Sequence, residues 1–147
     1  MKILIINGPN LNMLGIREPE VYGTKSYQEL SQELKLYADA LHISLVIKQT
    51  NYEGKIIDLI HHAYFKHYDG IIINPGAYTH YSYAIRDAIS SITIPVVEVH
   101  LSDITKREEF RRHSVISDVC AKTIMGKSYD GYFDAIVYLM KGESNNV

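Results

Sequence analysis

One cysteine, Cys120, stands among the 147 residues of this chain. No internal disulfide can form, and the pattern fits a reducing compartment. Neither sign of charge dominates: 15 Lys and Arg against 17 Asp and Glu leave a formal net charge of −2. Such a balance argues against a nucleic-acid or membrane-surface partner. Long apolar runs are missing too, and none reaches the ~20 residues that cross a bilayer. The chain opens directly on a strand-like run, with no signal-peptide pattern ahead of it. Internal repeats, low-complexity segments and linkers are absent. What is present is ordinary globular material, 46% hydrophobic and 22% charged. The length suits one domain, residues 1–147, with bulk for a sizeable core. A soluble, cytoplasmic protein is expected.

Strand-like and helix-like segments alternate. Short β-branched runs at Ile3–Ile6, Ile43–Ile47, Gly70–Ile73, Pro95–Val99 and Ala121–Met125 are apolar almost throughout. Strands of that kind are buried on both faces of a parallel sheet. Between them, Ser26 and Glu29 form a capping box, after which Leu30, Leu34, Ala38 and Leu41 share one helical face. Ile56, Ile57, Ile60, Ala63 and Tyr64 mark a second helix, and Ala84, Ile85, Ala88 and Ile89 a third. Thr105 and Glu108 read as another capping box, opening a fourth helix that carries Phe110, Arg111 and Arg112. A last helix spans about Tyr129–Lys141, and the tail 142–147 is expected to fray. Regular βα alternation predicts an α/β fold, a doubly wound five-stranded parallel sheet of flavodoxin-like order 2-1-3-4-5. In that order the loops after strands 1, 3 and 4 converge at the switch point, where ligands bind.

Those three loops are where the sequence becomes chemically unusual. The first, 10–23, is longer than the usual ~2–6 residues of a strand-to-helix connection, as binding loops and lids are. It carries Asn10, Asn12, Arg17 and Tyr22, with Gly15 and Gly23 as hinges. After strand 3, Asn74-Pro-Gly-Ala-Tyr-Thr-His80 contains a tight turn that points Asn74 and His80 over the sheet end. After strand 4 comes Glu98-Val-His100-Leu-Ser102. Residues two apart on a strand face one side, so Glu98 can orient and help charge His100. Away from a crevice such a pair reads as a simple structural ion pair. His80, Glu98 and His100 could in principle hold a metal, but they lack the compact helical spacing of hydrolytic zinc motifs. Arg111 is placed to clamp an anionic group, whereas Arg107 and Arg112 read as a solvated face.

A phenol with pKa ~10 acts as a base only beside a cation that favours phenolate. Arg17, five residues before Tyr22, is the obvious one. A phenolate base, an imidazolium acid and amides for developing negative charge suit proton abstraction next to a carbonyl, followed by loss of a leaving group. The residues alone yield a cofactor-free lyase or isomerase acting on a small polar substrate.

Gly8-Pro-Asn-Leu-Asn12, Arg17 with Tyr22-Gly23, Asn51-Tyr-Glu-Gly54, Asn74 to His80, Glu98 to Ser102 and Arg107 to Ser114 together resemble the type II 3-dehydroquinate dehydratases. The resemblance runs essentially end to end. It implies a flavodoxin-like fold, a homododecamer built as a tetramer of trimers, no cofactor and no metal. It also implies reversible anti elimination of water from 3-dehydroquinate, giving 3-dehydroshikimate, in the shikimate pathway to aromatic compounds. By matching motif, Tyr22 resembles the base that removes the C2 proton, Arg17 the cation that keeps it phenolate, and Asn10 the group that positions an enolate-stabilising water. His100 resembles the acid that protonates the departing C1 hydroxyl. Asn74, His80 and Arg111 would bind substrate hydroxyls, and the Leu101–Ser102 backbone with the Ser102 hydroxyl its carboxylate. Asp87 matches a residue supplied by a neighbouring subunit. Asp103 departs from the asparagine more usual in the family and would add negative charge near the carboxylate site. The Asn51–Gly54 turn matches without a chemical account.

The alternative from another class is a flavodoxin-like binding or receiver module, since fold alone does not settle function. A flavin carrier would need a Ser/Thr/Gly-rich phosphate loop after strand 1, and a receiver an aspartate ending strand 3. Here those positions hold Gly8-Pro-Asn-Leu-Asn12 and Asn74.

Overall fold

Ile3 through Asn7 are all buried, as a strand covered on both faces must be. The computed structural model describes residues 1–16 and 18–144, the side chains of Val21, Tyr22, Glu143 and Ser144 excepted. Its strands are β1 (Lys2–Asn7), β2 (Ser44–Gln49), β3 (Gly70–Asn74), β4 (Val96–His100) and β5 (Lys122–Met125). All pair in parallel in the order β2-β1-β3-β4-β5. This is the expected flavodoxin-like sheet.

The helices are a single turn, α1 (Pro19–Tyr22), then α2 (Tyr27–Ala40), α3 (Glu53–Phe65), α4 (Tyr83–Ser90) and α5 (Asp130–Ser144). Strand alternation sorts the core into two layers. Ile3, Ile5, Ile72, Val97 and Val99 pack under α2 and α5 against Leu30, Leu34, Tyr132 and Ile136. Leu4, Ile6, Ile71, Ile73 and Val96 pack under α3 and α4 against Ile56, Ile60, Ile85 and Ile89. Each fully buried aliphatic side chain contributes roughly 1.5–3 kcal/mol by leaving water. The Ser26 hydroxyl caps α2 by accepting the Glu29 N–H at 3.1 Å. α5 runs into the tail expected to fray, as far as Ser144; residues 145–147 lie outside the described residues.

The fourth helix expected from Thr105 does not form. Asp103 is itself the cap: it accepts both the Thr105 N–H (3.0 Å) and the Thr105 hydroxyl (2.6 Å), which places Thr105 inside a turn at Ile104–Lys106 and not at the head of a helix. The chain makes one 3-10 turn at Ile104–Lys106, straightens through Arg107 and Glu108, and makes a second at Glu109–Arg111. Arg111 and Arg112 therefore ride on a folded strap. The same bonds hold the Asp103 carboxylate below its usual range and turn it toward Thr105. Asp103 lies between Ser102 and Ile104, which both line the cleft, without lining it itself.

Candidate active site

β1 and β3 end side by side, with Asn7 and Asn74 in register. The loops that follow lock together through two Gly–Pro contacts. A Cβ on Gly8 would lie 2.6 Å from the Pro75 carbonyl oxygen, and one on Gly76 3.1 Å from that of Pro9. Only glycine permits so close an approach. Asn10 then takes a left-handed conformation (φ 69°), which asparagine tolerates better than most residues. Its N–H donates to Asn51 Oδ1 at 3.1 Å. The Asn51 side chain also accepts from Gln49 Nε2, and its carbonyl from the Tyr78 hydroxyl. The Asn51 turn thus has a physical account: it braces the loop that presents Asn10.

β4 brings Glu98 and His100 to the same side of the sheet end. Glu98 has no exposed surface and His100 only 6%. His100 Nε2 donates to Glu98 Oε1 at 2.7 Å. The same oxygen accepts from the Thr79 hydroxyl (2.7 Å) and the Ser114 hydroxyl (2.6 Å). Oε2 accepts from Ser117 (2.5 Å) and Thr123 (3.0 Å). Burial alone would push this carboxyl up. The bond and charge of His100, with the Ser114 and Ser117 hydroxyls, outweigh it and bring Glu98 down to about 2. An ionised Glu98 accepting from Nε2 leaves Nδ1 as the His100 nitrogen that Glu98 does not take, on a ring that lines the cleft.

The cleft holds about 170 Å³ at the carboxyl ends of β1, β3 and β4. Asn10, Asn74, His80, His100, Leu101 and Ser102 all line it, as the loop convergence requires. Asn74 is buried, with its amide bonded to the Tyr132 hydroxyl and the Gly76 N–H. His80 Nδ1 donates to the His113 carbonyl at 2.8 Å. A carbonyl can only accept, so Nδ1 carries the proton. Burial, assisted by the charges of His100, Arg111 and Arg107, lowers the His80 pKa despite that bond. Neutral His80 therefore has an acceptor nitrogen, Nε2, to offer a ligand hydroxyl.

Arg111 lies in the cleft wall, with Nε 3.0 Å from Glu108 Oε2. That contact is an ion pair too poorly aligned to be a hydrogen bond. Arg107 corrects the sequence reading: it is half-buried in the cleft wall and donates from Nη1 to the Ser102 hydroxyl at 3.3 Å. The missing helix is the reason, since the extended backbone at Arg107 turns its side chain inward. Arg112 stays exposed and donates from Nε to the Arg107 carbonyl. Asp87 is exposed on α4 and does not line this cleft. Arg17 and the Tyr22 side chain lie outside the described residues. Among the described residues, no group of three or more His, Cys, Asp or Glu could hold a metal ion. No described helix is long and apolar enough to cross a membrane.

The family profile for dehydroquinase class II matches residues 1–140. The chain belongs to the class II dehydroquinases. It is 55% identical over 141 residues to the 3-dehydroquinate dehydratase of Clostridium perfringens (strain SM101 / Type A), covering 96% of this chain and 97% of that one. It is 54% identical over 144 residues to the 3-dehydroquinate dehydratase of Bacillus subtilis (strain 168), with the same coverage. The crystal structure of the type II dehydroquinase from Butyrivibrio crossotus DSM 2876 superposes with a TM-score of 0.93 at 53% identity, covering 95% of this chain and 97% of that one.

In this class II dehydroquinase, sequence reasoning missed the hydroxyls around Glu98, Arg107 and the Tyr132 phenol. A signal existed for the first group. A carboxylate on a strand buried on both faces has about four lone-pair sites to fill, which calls for several nearby donors. For Tyr132, set among apolar neighbours in a helix, no signal marked it.

Proposed function

We propose that this chain is a 3-dehydroquinate dehydratase, acting as one domain in the shikimate pathway and working by stepwise anti elimination. Tyr22, kept as phenolate by Arg17, takes the C2 proton of 3-dehydroquinate. The C–H electron pair moves onto the carbonyl oxygen, giving an enolate stabilised by a water that Asn10 positions. The enolate then collapses to form the C1–C2 double bond. The C1 hydroxyl leaves as water with a proton from His100, which Glu98 orients. Asn74, His80 and Arg111 bind substrate hydroxyls, and the Leu101–Ser102 backbone with the Ser102 hydroxyl binds the carboxylate. The phenolate base attacks a proton, so no lysine need form a Schiff base with the carbonyl and no cofactor takes part. Asp87 completes the site of a neighbouring subunit in a dodecamer, and the protein works in the cytoplasm.

The observation that carries this reading is the Glu98–His100 pair, 2.7 Å apart, whose His100 lines the cleft with Asn10, Asn74, His80 and Ser102. A binding or receiver module is not favoured, since β3 ends at Asn74 where a receiver needs an aspartate. The test is ultraviolet absorbance of the conjugated enone formed from dehydroquinate. No rise at any pH would sink the reading. Separating the steps tests the roles. His100→Ala should make almost no product yet exchange the C2 proton with deuterium, because hydroxide leaves poorly unprotonated. Tyr22→Phe should lose both activities, and a His100→Ala enzyme at near wild-type rate would remove His100 from the acid's role.

A further inference from the structure

Tyr132 lies in α5 with no exposed surface, beneath the point where β1 and β3 end. Its hydroxyl joins the two buried asparagines that close those strands. It donates to Asn7 Oδ1 at 2.6 Å and accepts from Asn74 Nδ2 at 3.1 Å. A phenol has one proton to give. With that proton committed to Asn7, the Tyr132 oxygen acts toward Asn74 as an acceptor only. The edge of the Asn74 amide facing it must then be the NH₂ edge. Independently, Asn74 Oδ1 accepts from the Gly76 N–H at 3.2 Å, a group that can only donate. Both partners specify the same amide orientation. Turning the amide over would set NH₂ against the Gly76 N–H and strip the buried Tyr132 hydroxyl of its donor.

We propose that Tyr132 is a positioning residue: by accepting from Asn74 Nδ2 while giving its proton to Asn7, it holds the Asn74 amide in the orientation that the Gly76 N–H requires and so fixes which edge faces the cleft. The second Nδ2–H and the second Oδ1 lone pair of Asn74 are thereby held in constant directions for a substrate hydroxyl. The proposal rests on Asn74 touching substrate, as proposed above. Tyr132 is no base itself, because full burial raises its phenol far above the usual range and keeps it protonated. A positioning role acts on substrate binding in ground and transition states alike, so it moves KM rather than kcat.

The test compares Tyr132→Phe, Leu139→Ala and Asn74→Ala in steady-state kinetics and thermal melts. Leu139 is another buried α5 residue, packed over Gly70 at the opposite end of β3. Tyr132→Phe should raise KM on the order of tenfold, the worth of one hydrogen bond, with kcat within about twofold. Leu139→Ala should lower Tm and leave KM unchanged. An unchanged KM in Tyr132→Phe overturns the proposal, as does an equal rise in Leu139→Ala, which would make the effect one of packing. An unchanged KM in Asn74→Ala would instead remove Asn74 from the substrate contacts, a separate failure read in its own arm. Should Tyr132→Phe not fold, the side-chain amide of Asn74 in the wild-type protein decides. Slow hydrogen exchange and slow amide rotation by NMR support the locked orientation. Rates matching those of exposed Asn51 overturn it.

Discussion

Glu98 shows how one buried side chain can serve folding and chemistry together. Its carboxylate is held at about 2, against an ordinary 4.5, by His100 and the hydroxyls around it. A carboxyl depressed on folding stabilises the native state fully above its unfolded pKa and loses that contribution as pH falls toward the folded one. The window here runs from about pH 4.5 down to about 2. Wild-type Tm should therefore fall more steeply across that window than the Tm of Glu98→Gln, in melts followed by circular dichroism. At neutral pH the same variant should lose about 10–100-fold in kcat, as when the group orienting a working histidine is removed. An unchanged kcat would reduce the pair to a structural ion pair. Arg107 and Arg112 offer a second contrast at this scale. Arg107 reaches Ser102 from the cleft wall, while Arg112 is exposed. Arg107→Ala should raise KM about tenfold or more through loss of a charged donor, and Arg112→Ala should change it little. An Arg107→Ala change as small as that of Arg112→Ala would restore the solvated face that the sequence suggested for both.

Between Ser102 and Ser114 the chain forms no α-helix or strand, only two 3-10 turns, and the site depends on that strap. Asp103 starts it by taking the Thr105 N–H and hydroxyl. Asp103→Ala should free the Thr105 hydroxyl, cost about 1 kcal/mol in stability as a lost cap, and raise KM by loosening Arg107 and Arg111. Denaturant titration and kinetics read the two effects, and a stability loss with unchanged KM would detach the strap from substrate binding. This element also marks where sequence reading fails. β1, β3 and β4 were legible as apolar runs buried on two faces, the partly exposed edge strands β2 and β5 only from their short β-branched runs, and α2 because Ser26 caps it in the ordinary way. The three converging loops followed from strand order alone. The strap did not, because Thr105 and Glu108 match a capping box that an aspartate two residues earlier pre-empts. Misreading the helix turned Arg107 outward. Tyr132 and the hydroxyls of Thr79, Ser114, Ser117 and Thr123 escaped for a different reason. Their partners are distant in sequence, and only the packed sheet brings them to Asn7, Asn74 and Glu98.

At the scale of the whole molecule the open question is how the exposed face of α4 is used. Asp87 does not line the cleft of its own chain, although Arg86 beside it ties α4 to the strap's continuation through the Val115 carbonyl and Asp118. If Asp87 contributes to catalysis it must do so in another subunit's cleft, where the resemblance to the family puts it. Tyr22→Phe and Asp87→Ala chains would then be defective for different reasons and in different sites. In a mixed oligomer, a site formed by the Tyr22 of one chain and the Asp87 of the other is wild type. Random assembly of equal amounts makes about one quarter of sites of that kind in a closed symmetric oligomer. Unfolding the two variants together and refolding them should therefore recover up to about a quarter of wild-type activity, with neither variant refolded alone doing so. Sedimentation of the mixture should show the same assembly as the parent enzyme. A mixture no more active than the average of its components, in an assembly shown to have exchanged subunits, would confine Asp87 to its own chain. A fully active monomer would remove the shared site altogether.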